Sequence, residues 1–76
     1  MNPDLKYWNA INLEPKIGAA RFRKLYDYFE TMEQAWQASR SELRQAGLES
    51  KIITALQARR YEISPEQEME KLAQEN

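Results

Sequence analysis

Leu13-Glu14-Pro15-Lys16-Ile17-Gly18-Ala19-Ala20-Arg21-Phe22-Arg23-Lys24-Leu25 decides the fold, because one helix must end inside it and another must begin. Pro15 cannot donate to a continuing helix, and its ring pushes Glu14 out of helical dihedrals. After Gly18, Phe22, Leu25, Tyr26 and Phe29 recur at three- and four-residue intervals, the spacing of one buried helix face that runs to about Phe29. Arg21, Lys24 and Tyr28 fall toward the opposite face. The stretch therefore reads as the turn and second arm of a helical hairpin.

Upstream, Asn2 is placed to cap a first helix, with Pro3 at its first position, Asp4 in its first turn and Leu5, Trp8 and Ile11 as an apolar stripe. Downstream, Thr31-Met32-Glu33-Gln34 has the form of a capping box and opens a short helix carrying Ala35 and Trp36. Ser39-Arg40-Ser41-Glu42 opens another short helix, which Gly47 closes as the residue past its end. The longest helix is expected from about Glu49 to Tyr61, with Leu48, Ile52, Ala55, Leu56 and Arg59 along one side. Ser64-Pro65-Glu66-Gln67 starts a terminal helix whose apolar content is Met69, Leu72 and Ala73, so thin anchoring is expected there. No segment alternates with period two, and no strand is expected.

The hairpin pattern occurs twice, once around Gly18 (Ile11 to Leu25) and once around Gly47 (Leu43 to Leu56), with the Thr31 to Ala38 helix between. This order predicts an all-α bundle of five to six short helices in a double helix-hairpin-helix arrangement. Trp8, Phe22, Leu25, Phe29, Trp36, Leu43, Leu48, Ile52 and Leu56 are the expected core. Glycine-capped helix pairs also occur in bundles that bind nothing, where the glycine serves only a left-handed backbone position. Trp8 and Trp36 read as packing residues, and Arg59-Arg60 as a solvated helix end that complements the macrodipole.

Composition narrows the function. A chain of 76 residues holds one small core and little interior for a catalytic cavity. Cysteine and histidine are both absent, which removes disulfides, thiolate nucleophiles and the usual zinc ligands, so neither an enzyme nor a cofactor is expected. No apolar run is long enough to span a bilayer, and the start lacks the pattern of a secretion signal, so a cytoplasmic protein is expected. The net charge of −1 conceals an asymmetry. Residues 1–60 carry ten Lys and Arg against seven Asp and Glu, whereas residues 61–76 carry one against five.

A mildly basic body with glycine turns suits nucleic-acid phosphate. A glycine lets the backbone approach a phosphate, and the following helix N-terminus presents unpaired N–H groups. The candidate donors are the amides of Ile17, Gly18, Ala19, Ala20 and Arg21, with Lys16, Arg21 and Lys24 adding side-chain charge. Gly47, Leu48 and Lys51 could play an analogous part in the second hairpin. Such contacts position a protein without reading sequence.

Tyr7-Trp8, followed by Leu13 to Gly18, Arg21 to Leu25 and Tyr28-Phe29, resembles the opening of the N-terminal helix-hairpin-helix (SAM-like) domain of the DNA-processing protein A (DprA/Smf) family. Glu33 to Ser39, Glu42-Leu43 and Ala46-Gly47-Leu48 are similar to that family's next stretch, and Glu66 to Glu75 to its bridge toward the following domain. The resemblance spans nearly the whole chain. It implies residues 1–63 as the helix-hairpin-helix domain and 64–76 as an acidic helix leading to a downstream Rossmann-like domain. It also implies a protein that binds single-stranded DNA and helps load the RecA recombinase in natural transformation and DNA recombination. The main DNA surface and dimer contacts would lie in the Rossmann-like domain, leaving this module accessory. One departure is Lys16, which stands where such a hairpin often has its first glycine; a positive φ there would cost a lysine about 1 kcal/mol or more. The competing expectation is a protein-interaction or oligomerisation module with no DNA binding. Salt dependence separates the two, since phosphate contacts weaken steeply as salt rises.

Overall fold

Each helix begins or ends where a local signal requires it. In the computed structural model, which describes residues 4–75, the helices are α1 (Leu5–Asn12), α2 (Gly18–Tyr28), α3 (Met32–Gln37), α4 (Arg40–Gln45), α5 (Ser50–Glu62) and α6 (Pro65–Glu75). No strand occurs among the described residues. The expected cap at Asn2 and Pro3 lies outside them.

Ser39 and Glu42 form the complete capping box, each side chain accepting from the other's backbone N–H. Thr31 caps α3 by accepting from Gln34 N, but the Gln34 side chain accepts from Glu30 N, one residue before the position a reciprocal box requires. At the end of α4, Leu48 N donates to Leu43 O at 3.2 Å and Gly47 N to Arg44 O at 3.0 Å. With Gly47 at φ 107°, this is the Schellman pattern, closed by the buried pair Leu43 and Leu48.

The core draws one or more side chains from each helix between α1 and α5. Ile11, Ile17, Leu25, Met32, Leu43, Ile53 and Leu56 are its largest fully buried members, joined by Trp36, Leu48 and Ile52. Trp8, Phe22 and Phe29, expected inside, are only partly buried against it. Tyr26 departs further, lying 50% exposed beside Trp8, and Leu5 is also exposed. Ile53 enters the core beside Ile52 because α5 buries a face wider than a single stripe.

Arg59 and Arg60 are not a solvated helix end. Arg59 forms an ion pair with the buried carboxylate of Glu14, its Nη2 3.0 Å from Oε2. Arg60 Nη2 donates to the carbonyls of Ala38 at 2.8 Å and Ala35 at 3.4 Å, covering the C-terminus of α3. Burial pushes this guanidinium below its ordinary pKa, and its Nε has no acceptor among the described residues.

Despite its few apolar residues, α6 lies along α1. Pro65 is buried, and Glu68 and Met69 are half-buried. The radius of gyration, 12.0 Å, is close to the roughly 11–12 Å of a compact chain this long, so α6 does not project. Lys6 Nζ lies 3.0 Å from Glu66 Oε1. This hydrogen bond raises the Lys6 pKa and lowers that of Glu66. The Glu66 contribution is therefore complete above the ordinary glutamate value of 4.5 and is lost as pH falls through the lowered one; the Lys6 contribution is complete below 10.5 and lost as pH rises through the raised one.

Two outcomes follow from this packing. Trp36→Ala removes a buried indole and is expected to cost about 3–5 kcal/mol, enough to abolish the native transition in urea. Truncation after Ser64 removes none of the largest fully buried side chains. Calorimetry should show a lowered midpoint with the cooperative transition retained, and loss of that transition would make α6 part of the core.

Candidate nucleic-acid interface

The turn between α1 and α2 is built on Glu14, which is 5% exposed. Its Oε2 accepts from Arg59 Nε at 3.1 Å and Nη2 at 3.0 Å, and its Oε1 accepts from Lys16 N at 3.3 Å. Glu14 O accepts from Ile17 N at 3.1 Å, closing the turn, and the Ile17 side chain, 1% exposed, pins it to the core. Two of the turn's amides are thereby used within the chain, including that of Ile17, a candidate phosphate donor.

Gly18 follows at φ 64°, and among the described residues only Gly18 and Gly47 have positive φ. Lys16 therefore carries no left-handed strain; the conformation that needs a glycine falls on the glycine retained. A Cβ at position 18 would meet nothing within 4 Å, so the space before this turn is open. At position 47 a Cβ would come within 3.2 Å of Lys24 Cδ, which a small shift of that flexible side chain could relieve, so it is the φ of 107° that favours glycine there.

The amides of Gly18, Ala19 and Ala20 have no acceptor among the described residues, as the geometry of a helix start dictates. Ala19 and Ala20 are exposed. Three N–H groups at the positive end of an 11-residue helix are thus left without a partner, on residues that are themselves exposed.

The two hairpins meet beside this row. Arg21 Nη2 donates to Glu49 Oε1 at 3.1 Å, and Arg21 Nη1 to Lys16 O at 3.2 Å. Lys24 Nζ donates to Gly47 O at 3.3 Å. Lys16 and Lys51 line an open groove of about 360 Å³ with Ser50 and Thr54. The structure therefore gathers Lys16, Arg21, Lys24 and Lys51, from both hairpins, on one side of the molecule. The hairpins are not equivalent, however. The Gly47 and Leu48 amides donate to Arg44 and Leu43, and Leu48 is 3% exposed, so neither amide is free for a phosphate. Glu49 occupies the Arg21 guanidinium, a contact between residues 28 apart that no local sequence pattern reveals.

Among the described residues no group of three or more Asp or Glu is placed to hold a metal ion, and no helix is long and apolar enough to cross a membrane. Comparison of the chain with protein-family models, curated proteins and solved structures gave no match.

The Glu14–Arg59 pair should dominate the stability of this turn. Removing one partner of a buried pair costs about 3–5 kcal/mol, and the partial exposure of Arg59 reduces this to about 2–3 kcal/mol. Urea denaturation of Glu14→Ala, Arg59→Ala and the double variant should give strongly non-additive losses, and additive losses would show that the pair does not act as a unit.

Proposed function

We propose that this chain is an accessory nucleic-acid-contacting domain, the N-terminal module of a DprA/Smf-like protein, which touches DNA phosphates weakly and without sequence preference through its first hairpin. The observation that carries this reading is the row of unpaired amides at Gly18, Ala19 and Ala20, open to solvent and flanked by Lys16, Arg21 and Lys24. Anions are favoured at such a helix start by the orphan N–H groups and the macrodipole together. Support for the family comes from the order of hairpin, connecting helix and hairpin, and from the sequence resemblance through both hairpins.

In this reading the module cooperates with a downstream Rossmann-like domain that binds single-stranded DNA, in a cytoplasmic protein that assists RecA loading during natural transformation and recombination. The modest charge of the interface suits an accessory part. Arg21 is already paired with Glu49, which lowers the gain from phosphate contact.

Fluorescence anisotropy with labelled oligonucleotides at two salt concentrations tests the proposal. The isolated chain should bind at low salt, weaken steeply as salt rises, and show an affinity no tighter than about 10⁻⁴ M at physiological salt. Reversing the charges of Lys16, Arg21 and Lys24 together should abolish binding. Absence of binding at low salt would overturn the proposal and leave the protein-interaction module as the reading of the fold.

A further inference from the structure

Beside the free amides, between α1 and α2, lies a second concavity. Trp8 and Asn12 of α1 and Ala19, Phe22, Arg23 and Tyr26 of α2 line an open groove of about 420 Å³. We propose that this groove receives an unpaired base of single-stranded DNA. The inference rests on the phosphate-contact reading and extends it by adding a contact to the base beside the phosphate.

The aromatic lining is the first reason. The Trp8 and Phe22 ring centroids lie 5.1 Å apart at 51°, and those of Trp8 and Tyr26 5.4 Å apart at 69°. Neither pair is parallel, so the rings do not cover one another by stacking. Tyr26 keeps half its surface in solvent, although Leu25, immediately before it in α2, is completely buried. Trp8 is braced rather than loose, its indole N–H donating to Asp4 Oδ2 at 3.0 Å. A rigid indole with an exposed tyrosine beside it is a platform on which any base can stack.

The polar rim is the second reason. Asn12 is exposed, and its side-chain amide makes no hydrogen bond among the described residues, leaving a donor and an acceptor for a base edge. The Arg23 guanidinium lies 5.8 Å from the Tyr26 ring centre, held there by Asp27, whose two carboxylate oxygens accept from its Nε at 3.1 Å. An apolar peptide side chain would use neither group.

Continuity and charge supply the third. Ala19 lines the groove and also contributes one of the free amides, so a phosphate held at the start of α2 leaves its own nucleoside next to the rings. The α2 sequence carries Arg21, Arg23 and Lys24 against one acid, Asp27; with Glu49 of the second hairpin on Arg21, Lys24 is left as the cation without a carboxylate partner among the described residues. In a duplex the bases are paired and stacked inside, so the groove discriminates in favour of single strands.

The test compares a single-stranded oligodeoxynucleotide, an abasic strand with the same number of phosphates and a blunt duplex, each titrated at low salt with anisotropy and tryptophan emission as readouts. The base-bearing strand should bind about tenfold more tightly than the abasic strand and quench tryptophan emission. Tyr26→Ala and Asn12→Ala, both at exposed positions, should bring it toward the abasic level while leaving abasic binding unchanged. Equal affinity for base-bearing and abasic strands, unaffected by Tyr26→Ala, would overturn the base-binding groove and leave phosphate contact standing. Failure of all three oligonucleotides to bind would overturn both.

Discussion

The turn on which the candidate interface stands is held by one buried ion pair, Glu14 with Arg59, joining residues 45 apart in sequence. Its carboxylate spends one oxygen on the guanidinium and the other on the Lys16 amide, so the same group that docks the turn on α5 also shapes it. A charge this deeply buried is tolerated only when paired and hydrogen-bonded. That condition ties the local conformation of residues 14–17 to the tertiary position of α5. With Ile17 locked into the core behind it, the turn delivers Gly18 and the free amides of α2 to the surface.

The same economy of long-range polar contacts holds α3. A helix of six residues is too short to persist on local propensity. Its N-terminus receives the Asp4 carboxylate, which accepts from Met32 N at 3.0 Å and Glu33 N at 2.9 Å, and its C-terminus receives Arg60. Asp4 also accepts from the Trp8 indole, so capping the connector helix and fixing the aromatic groove are a single act. The connector between the two hairpins is thus secured by α1 at one end and α5 at the other.

Two hairpins of similar sequence pattern differ in how their backbone amides are satisfied. Around Gly47 the backbone satisfies itself through the Schellman bonds, and the glycine gives room to the Lys24 side chain. Around Gly18 the helix start is left open. The second hairpin then serves the first, its Glu49 and Gly47 carbonyl ordering Arg21 and Lys24 beside the open amides. Glu49 holds the Arg21 guanidinium in place and offsets its charge; under the proposed function this makes any phosphate contact a weak one.

Sequence alone determined the helical content and most boundaries: the break at Pro15, the Ser39–Glu42 box, the stop at Gly47 and the long helix starting at Glu49 or Ser50 all depend on atoms within four or five residues. It also determined that Leu25, Trp36, Leu43 and Leu56 face inward, because their periodicity is a property of each helix taken singly. Tertiary structure decided what local periodicity cannot express. Tyr26 shares the apolar spacing of Phe22 and Phe29 but is left exposed, since α1 covers only part of that face of α2. Arg59 and Arg60 read as solvated because a helix C-terminus favours cations, yet their partners are a carboxylate and two carbonyls brought from distant parts of the chain. Which of the candidate amides remain open was likewise settled only by packing. A hydrogen bond that closes a turn within a few residues is written in local sequence, whereas one that depends on which helix lies alongside is fixed only when the core brings the two together.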